Sequence, residues 1–287
     1  MKQRTAILIA ILVAACSAPL AAQSYTFDTI LYCNGLAAFP YAMNGSGLVV
    51  GIAEVASGPS AGMTYFDGKC QTYASDAFYG VTDTGWLIGG VNDSKTYELI
   101  VPGSKVIPLP NYTGLQPGNF AYCCMDTSTG TLAGNYTPPK SAIPTSGFFY
   151  RNGTFTSLPW SDASGSPSYW YQITALNNTG AAVGTYEGVY TLGFVYQKDK
   201  MSLLSHPGAK YTYFQGLNDN SVVVGSYVST TNQLGIFLYN ITTAAWTDLN
   251  FPYPYNDMVP VGISNTGVIA LQYSPSGGMV LATPSGN

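Results

Sequence analysis

The 287-residue sequence has few charged residues, a single histidine and no long hydrophobic run beyond its first 25 residues. Charged side chains make up 8% of the chain, against about 25% in ordinary soluble domains. No segment after residue 25 has the pattern of an amphipathic helix or the length of a membrane-spanning one. The 32 Gly, 18 Pro and 23 Tyr favour strands and tight turns. An all-β protein is therefore expected.

The N-terminus has the pattern of an export signal. Lys2 and Arg4 precede an apolar run over residues 6–15, which small residues follow. Residues 1–23 are predicted to be this signal, and residues 24–287 one domain. Two cleavage modes are open: Val13 to Cys16 resembles a bacterial lipobox, which would acylate Cys16, whereas cleavage near Ala22 would discard it. The mature protein is expected outside the cytoplasm, secreted, periplasmic or lipid-anchored at the cell surface, without a transmembrane segment.

The charge balance argues against nucleic acid as a partner. Loss of residues 1–23 removes two of the ten basic residues and none of the fourteen acidic ones, so the net charge becomes 8 − 14 = −6. Phosphate groups would be repelled by such a surface. No Walker-type loop or cluster of metal ligands is recognisable, and no cofactor is predicted.

Four cysteines follow the signal: Cys33, Cys70, Cys123 and Cys124. An even number in an oxidising compartment predicts two disulfides, and all three connectivities are open. Neighbouring residues in a regular strand point to opposite faces, so a bond between Cys123 and Cys124 requires an unusual local backbone. The spacing fits no zinc motif, and a structural role is favoured.

A repeat of 38 to 50 residues runs through the chain. Six short apolar segments each follow a polar turn, and they end at Gly51, Gly89, Gly134, Gly184, Gly225 and Ala270. The turn before most of them ends in glycine, as in Asn177-Asn178-Thr179-Gly180, whereas Ser221 departs from this pattern. A Gly-Phe-x-Tyr strand and a fourth strand follow in the clearest units. Four antiparallel strands per unit and six units predict a six-bladed β-propeller.

The two ends of the chain complement each other. The last unit stops after its third strand, near Leu281, and residues 25–30 precede the first unit as an unassigned strand. Pairing of these segments would close the last blade with the N-terminal strand and leave no open edge between the termini.

The repeats resemble those of the HAF repeat family, proteins predicted to be extracellular. Gly216 to Tyr227 is similar to the family pattern Gly-Ile-Asn-Asp-x-Gly-x-Val-Val-Gly-x-Tyr, and His206-Pro207-Gly208-Ala209 is similar to its linker. The namesake His-Ala-Phe is absent, and Leu192-Gly193-Phe194 stands in its place. The resemblance implies an exported repeat fold and no established activity.

Several residues could carry chemistry, but each has a simpler interpretation. His206 lies in a repeat linker, where a structural role is expected. Gly58-Pro59-Ser60-Ala61-Gly62 matches a nucleophile elbow but falls between two strands instead of before a helix. Glu54 and Glu187 occupy equivalent positions and are candidates for a glycosidase pair. The segment 162–166 could contact calcium but lacks the carboxylates of a dedicated loop.

Aromatic residues are concentrated in the longer connections, which are predicted to share one rim of the propeller. The candidate binding residues are Trp160, Tyr169, Trp170, Tyr253 and Tyr255. Flat, uncharged rings suit sugar faces or another protein surface, although Tyr is also a common packing residue in strands. We expect a non-enzymatic binding or scaffolding module for a surface glycan or another envelope protein. The alternatives are a carbohydrate-active enzyme with paired carboxylates near the channel, and a purely structural envelope protein.

Overall fold

A computed structural model describes residues 24–54, 60–74, 76–91, 97–101, 105–110, 120–137, 146–158, 170–250, 258–273 and 277–285. These residues form an all-β, propeller-like fold of four-stranded antiparallel blades, as the repeat predicts. Among them no helix is long and apolar enough to cross a membrane.

Two strands come first, β1 (Tyr25–Ile30) and the short β2 (Tyr32–Cys33), and groups of four then follow along the chain until a last group of three. The first groups of four are β3 (Leu36–Met43), β4 (Val49–Glu54), β5 (Ala61–Phe66) and β6 (Lys69–Ala74), then β7 (Asp76–Val81), β8 (Leu87–Val91), β9 (Glu98–Val101) and β10 (Lys105–Pro108), and then β11 (Phe120–Asp126), β12 (Thr131–Tyr136), β13 (Ser146–Arg151) and β14 (Thr154–Ser157). The later ones are β15 (Trp170–Leu176), β16 (Ala182–Glu187), β17 (Thr191–Gln197) and β18 (Lys200–Leu204), then β19 (Ala209–Leu217), β20 (Val222–Ser229), β21 (Leu234–Asn240) and β22 (Ala245–Leu249), and finally β23 (Met258–Ile263), β24 (Ile269–Tyr273) and β25 (Met279–Pro284).

Each group of four pairs in chain order by antiparallel ladders. The β15–β18 and β19–β22 groups are joined by a single parallel pair, Thr191 with Tyr211. The first strands of successive groups contact one another in the order β3, β7, β11, β15, β19, β23 and back to β3. These inner strands therefore surround a common channel.

The N-terminal strand completes the last sheet, as predicted. β1 pairs with β25 along its whole length, from Tyr25 opposite Pro284 to Ile30 opposite Met279. The short strand β2 then pairs with β3 at the start of the next group. The two ends of the described chain thus share one sheet, which leaves no open edge between them.

The turns between first and second strands start with a buried polar residue. Asn44, Thr82, Asp126, Asn177, Asn218 and Ser264 occupy this position. The Asn177 side chain shows the common role, because its Oδ1 accepts a hydrogen bond from the Ala181 N–H at 3.0 Å. The turns close on a residue with positive φ, and Ser221 adopts φ 60° where the other units have glycine. Its departure from the glycine pattern therefore leaves the turn geometry unchanged.

Every inner strand carries a one-residue β-bulge at the equivalent position. The extra residues are Tyr41, Tyr79, Cys123, Thr174, Gln215 and Val261. A bulge leaves its extra residue outside the ladder and redirects the side chain. This irregularity recurs with the repeat, although the sequence pattern does not indicate it.

The recurring Val-Gly of the second strands is explained by close approach to the bulged strand. A Cβ atom at Gly184 would lie 1.9 Å from the Gln172 carbonyl oxygen and 2.7 Å from the Phe194 ring. Third-strand glycines serve a related purpose between groups, since a Cβ at Gly193 would lie 2.4 Å from the Phe214 ring of the next inner strand. Glycine therefore allows tight packing both within and between sheets.

Candidate functional site

The six bulge residues all line one cavity of about 450 Å³ in the channel. First-to-second and third-to-fourth turns lie at one end of the channel, which we call the turn rim. The other connections lie at the opposite end, which we call the loop rim. The cavity also contacts Gln272 near the loop-rim end of β24, and it is therefore a mouth that opens toward the loop rim.

One side of this channel mouth is formed by four tyrosines. The Tyr41 and Tyr79 rings stack with centroids 5.8 Å apart, Tyr79 and Tyr97 are 6.0 Å apart, and Tyr97 meets Tyr122 edge-on at 6.0 Å. Tyr122 is buried, and its hydroxyl donates to the Pro110 carbonyl at 2.7 Å. Tyr41 and Tyr79 remain 37% and 42% exposed, so their ring surfaces are available for contact.

Two phenol groups of this side, those of Tyr41 and Tyr97, have a raised pKa and are therefore protonated at neutral pH. Burial raises the pKa of Tyr97 to about 12. Burial also raises the pKa of Tyr41, and the nearby Glu54 carboxylate and Tyr79 add to the effect. The aromatic side therefore offers flat rings and hydroxyl groups without charge.

The other side of the mouth carries amide and hydroxyl groups. Gln215 Nε2 donates to Ser226 Oγ at 2.8 Å, while its buried Oε1 accepts no hydrogen bond from the described residues. Thr174 Oγ1 donates to the Phe214 carbonyl at 2.8 Å. Gln172 is exposed in the same wall. Asn135 bonds both the N–H and the carbonyl of Ile173 at 2.8 Å, and so it positions β15.

The described residues that line the mouth include no Asp, Glu, Lys, Arg or His. Its chemistry is therefore aromatic on the β3 and β7 side and amide or hydroxyl on the β15 and β19 side. Such a surface can stack a flat apolar face and hydrogen-bond an edge that carries both donors and acceptors.

The turn-rim end of the channel is narrowed by hydrogen bonds between the turn tips. The Asn178 N–H donates to Asp219 Oδ1 at 2.9 Å, and the Asp219 N–H donates to Asn265 Oδ1 at 2.9 Å. The Asn265 N–H donates to the Gly45 carbonyl at 2.7 Å, and the Gly45 N–H donates to Asp83 Oδ1 at 2.6 Å. The cavity left at this end is only about 40 Å³.

Two carboxyl groups meet across this narrow end. Asp83 and Asp219 are hydrogen-bonded to each other, and Asn178 Nδ2 donates to both. Burial raises the pKa of Asp83, and the Asp219 charge adds to this rise, whereas the hydrogen bond from the Gly45 N–H opposes it. Burial alone would also raise the pKa of Asp219, but the hydrogen bonds from Asn178, Asn265 and Asp83 outweigh this effect and lower the pKa. The pair therefore retains one proton between the two pKa values.

This pair does not have the arrangement of a glycosidase site. Retaining and inverting enzymes hold their carboxyl groups about 5 to 10 Å apart with a sugar between them. The Asp83 and Asp219 carboxyl groups are in direct contact instead, in a cavity with room for little more than a water molecule. Their evident role is to join turns from different sheets.

Most of the predicted binding residues lie outside the described residues, namely Trp160, Tyr169, Tyr253 and Tyr255, as do Cys16 and the segment 162–166. Trp170 is described: it begins β15 at the loop rim, half-buried, and pairs with Glu187. It is not among the residues that line the channel mouth. The aromatic surface that the structure describes is formed instead by Tyr41, Tyr79 and Tyr122 of the inner strands and by Tyr97, which precedes β9.

Glu54 and Glu187 end the second strands of two different groups, as their equivalent positions predict. Burial raises the pKa of Glu187. Glu54 lies near Tyr41 and accepts a hydrogen bond from Ser60 at 3.4 Å. β5 begins at Ala61, directly after Ser60, where a nucleophile elbow would require a helix.

His206 has the structural role that its linker position predicts. The ring is 5% exposed and stacks on Tyr227 at 3.9 Å, with Trp246 edge-on at 5.2 Å. Nε2 contacts Asp248 Oδ1 at 2.8 Å. Nδ1 is buried and has no hydrogen-bond partner among the described residues, so no described serine is paired with it. This environment encloses the imidazole and gives it no path to a substrate.

The four cysteines form two disulfides, Cys33–Cys70 and Cys123–Cys124. Cys33 is fully buried, and its bond links β2 to β6. The bond between adjacent cysteines is possible because Cys123 is the bulge residue of β11. The bulge interrupts the alternation of side chains and supplies the unusual backbone that such a bond requires. Among the described ranges, no group of three or more potential metal-ligating His, Cys, Asp or Glu residues is found.

No family model matches the chain, and no curated protein matches it. Its structure is similar to a gluconolactonase from Xanthomonas campestris, with a TM-score of 0.57, 10% identity and 93% of each chain covered. It is also similar to TolB from Acinetobacter baumannii (TM-score 0.56, 11% identity, 85% of this chain) and to YCF48 bound to D1 peptide (TM-score 0.52, 10% identity, 93% of this chain and 97% of that chain). The chain spans 65% of the length of the TolB chain. At this level of identity the likenesses show the propeller fold alone.

Proposed function

We propose that the protein is an exported, six-bladed propeller that binds the end of an uncharged glycan in its channel mouth. The order of contacts among the six inner strands supports the blade count. The signal-like residues 1–23 and the two disulfides support a location outside the cytoplasm. Membership of the HAF repeat family is part of the proposal, on the strength of the 206–227 resemblance.

The observation that carries this function is the division of the mouth into an aromatic side and a hydrogen-bonding side. A pyranose ring has an apolar face of C–H groups and an edge of hydroxyl groups. The stacked Tyr41 and Tyr79 rings suit the face. Gln172, Thr174 and Gln215 lie on the opposite side and suit the edge.

Gln215 supports a hydroxyl-bearing ligand in particular. Its Oε1 is a buried acceptor without a donor among the described residues. An unsatisfied buried acceptor is unfavourable by about 1–3 kcal/mol. A turn of the Gln215 side chain toward the mouth would expose this oxygen, and a ligand hydroxyl that donates to it would then relieve the penalty.

The absence of charge among the described lining residues favours a neutral sugar over an acidic one. A uronate or sialate carboxylate would find no cation among the described residues of the mouth and would lose its hydration on entry. We therefore expect neutral hexoses or their N-acetyl derivatives at the terminal position of the bound glycan.

A glycan array followed by calorimetry tests the function. The protein is expected to bind a subset of neutral glycans, and Tyr79→Ala is expected to weaken affinity by about tenfold, or about 1.4 kcal/mol. Tyr190→Ala is the matched control, because Tyr190 is 65% exposed and does not line the channel mouth.

Three results would overturn the proposal. They are an array without signal, equal losses in the two variants, and a glycan shortened during incubation. The last result would favour the carbohydrate-active enzyme, and Glu187→Gln would then be the variant to assay. Envelope-protein binding with a silent glycan array would favour a protein partner.

A further inference from the structure

The Cys123–Cys124 disulfide joins a residue of the channel wall to a residue of the core. Cys123 lines both the channel mouth and the narrow end, and it is partly exposed. Cys124 is 8% exposed, belongs to the core cluster that includes Ala133 and Tyr171, and lines the channel only at the narrow end. A reagent that enters through the channel mouth therefore meets Cys123 first.

The backbone that allows this bond exists without it. All six inner strands carry the bulge, and five of them have no cysteine pair at that position. The bulge belongs to the repeat and is not a product of the disulfide. Opening the bond is therefore expected to leave the fold intact.

The bond also has little stabilising purpose of its own. A disulfide stabilises mainly by closing a loop of the unfolded chain, and the effect grows with loop length. The Cys33–Cys70 bond spans 37 positions and lies in a packed core, whereas Cys123–Cys124 spans one. Fold stability thus explains the first bond and not the second.

We propose that Cys123–Cys124 is a thiol–disulfide exchange site that small dithiols reach through the channel mouth. One thiolate of the dithiol attacks Cys123 Sγ, a mixed disulfide forms, and Cys124 Sγ leaves and takes a proton. The second thiol of the reagent then displaces Cys123, which also becomes a thiol. The dithiol is oxidised to its disulfide, and the protein gains two electrons and two protons.

The reverse reaction closes the bond again. The cavity of about 450 Å³ admits a reagent of the size of dithiothreitol. Because Cys123 lies between Tyr122 and the Thr174 side of the mouth, the exchange changes the wall of the ligand site. The site is therefore redox-sensitive whichever ligand the mouth holds.

Graded reduction of the native full chain tests the proposal. The protein is incubated with increasing dithiothreitol, trapped with iodoacetamide and digested, and each labelled cysteine is located by mass spectrometry. We expect two labels on the peptide that contains Cys123 and Cys124 at a dithiothreitol concentration about tenfold below that needed for Cys33 and Cys70. The near-ultraviolet circular dichroism of the folded chain is expected to persist at that concentration.

Three results overturn the proposal in this experiment. The first is labelling of Cys33 and Cys70 at the same or a lower dithiothreitol concentration. The second is labelling of Cys123 and Cys124 only after unfolding in guanidinium, and the third is labelling of this pair without any reductant. Peptide mapping separates all three from any label on Cys16.

Single substitutions test the direction of access. In Cys124→Ser the remaining Cys123 thiol is expected to react with iodoacetamide about tenfold faster than the Cys124 thiol does in Cys123→Ser, because Cys124 is buried. Equal rates, or a faster reaction of Cys124, would contradict entry through the channel. If either variant fails to fold, the graded reduction of the unaltered chain still decides the question.

Discussion

The Tyr41 and Tyr79 rings lie 5.8 Å apart with planes 10° from parallel, although they belong to inner strands of different sheets. Each residue is the extra residue of a bulge, so both side chains turn into the channel. The stack is thus formed by two irregularities that recur at the same point of the repeat.

A double-mutant cycle on this stack is the first prediction. Tyr41→Ala and Tyr79→Ala each remove the same ring pair, so their effects on the free energy of unfolding are expected to be non-additive by about 0.5–1 kcal/mol. Guanidinium unfolding of the two single variants and the double variant measures this coupling. Effects that add within about 0.3 kcal/mol would mean that the rings do not interact.

The second prediction concerns the close approach at the bulge of β15. Gly184→Ala places a methyl group 1.9 Å from the Gln172 carbonyl oxygen, so a strand must shift. We expect a loss of about 1–3 kcal/mol in the free energy of unfolding. The equivalent position of the last sheet is Leu271, opposite Pro260. Ala270 precedes it and pairs with Gly262 beyond the bulge, and Ala270→Gly is expected to lose only about 0.5–1 kcal/mol. A neutral or stabilising Gly184→Ala would refute the steric explanation of the Val-Gly repeat.

The third prediction separates the two disulfides by their effect on stability. Removal of Cys33–Cys70 in a double alanine variant is expected to lower the free energy of unfolding by about 2–4 kcal/mol, because the bond constrains a long loop of the unfolded chain. The matched double variant of Cys123 and Cys124 is expected to lose less. Denaturant titration of both proteins gives the comparison, and an equal or reversed order would contradict it.

The fourth prediction is a pH dependence of stability that arises from Asp83. Its pKa in the folded protein is raised by burial, and the nearby Asp219 charge adds to this shift. A group with a raised folded pKa contributes stability below its unfolded pKa of about 3.9, and this contribution is lost as the pH rises through the folded value. The unaltered protein is therefore expected to lose stability as the pH rises from about 3.9 through the folded pKa of Asp83. The Asp83→Asn variant is expected to lose less over the same range.

Unfolding titrations at a series of pH values measure the difference between the two proteins. Asp219 has the opposite sign, because its lowered pKa contributes stability that is lost as the pH falls through that lowered value. Asp219→Asn is therefore the control, with its change expected on the acidic side. Parallel pH profiles for Asp83→Asn and the unaltered chain would exclude a raised pKa for Asp83.

The architecture was accessible from the sequence because its signals are local. A polar turn that closes on a positive φ identifies each hairpin, and Gly180 and Ser221 occupy the same turn position in structure. The pairing of residues 25–30 with the last strand followed from counting strands, and β1 and β25 confirm it. Neither inference requires knowledge of how the sheets pack against one another.

The site was much less accessible, since it depends on contacts that no spacing reveals. The bulges add one residue without changing the hydrophobic pattern, so Tyr79 cannot be distinguished from an ordinary strand tyrosine. Asp83 and Asp219 meet only when their two sheets are brought to one channel. Asp248 likewise becomes the partner of His206 through tertiary packing. The prediction of loop aromatics rests on composition, which does not indicate where a side chain points.

Because each bulge residue stands outside the ladder, the backbone bonds that hold the sheets do not depend on its identity. A library that varies only positions 41, 79, 123, 174, 215 and 261 would therefore change the wall of the channel mouth and leave the ladders in place. If the proposed glycan binds there, its selectivity depends on one position per repeat. Divergence among related repeats can then proceed by single exchanges, without compensating changes elsewhere in the blade.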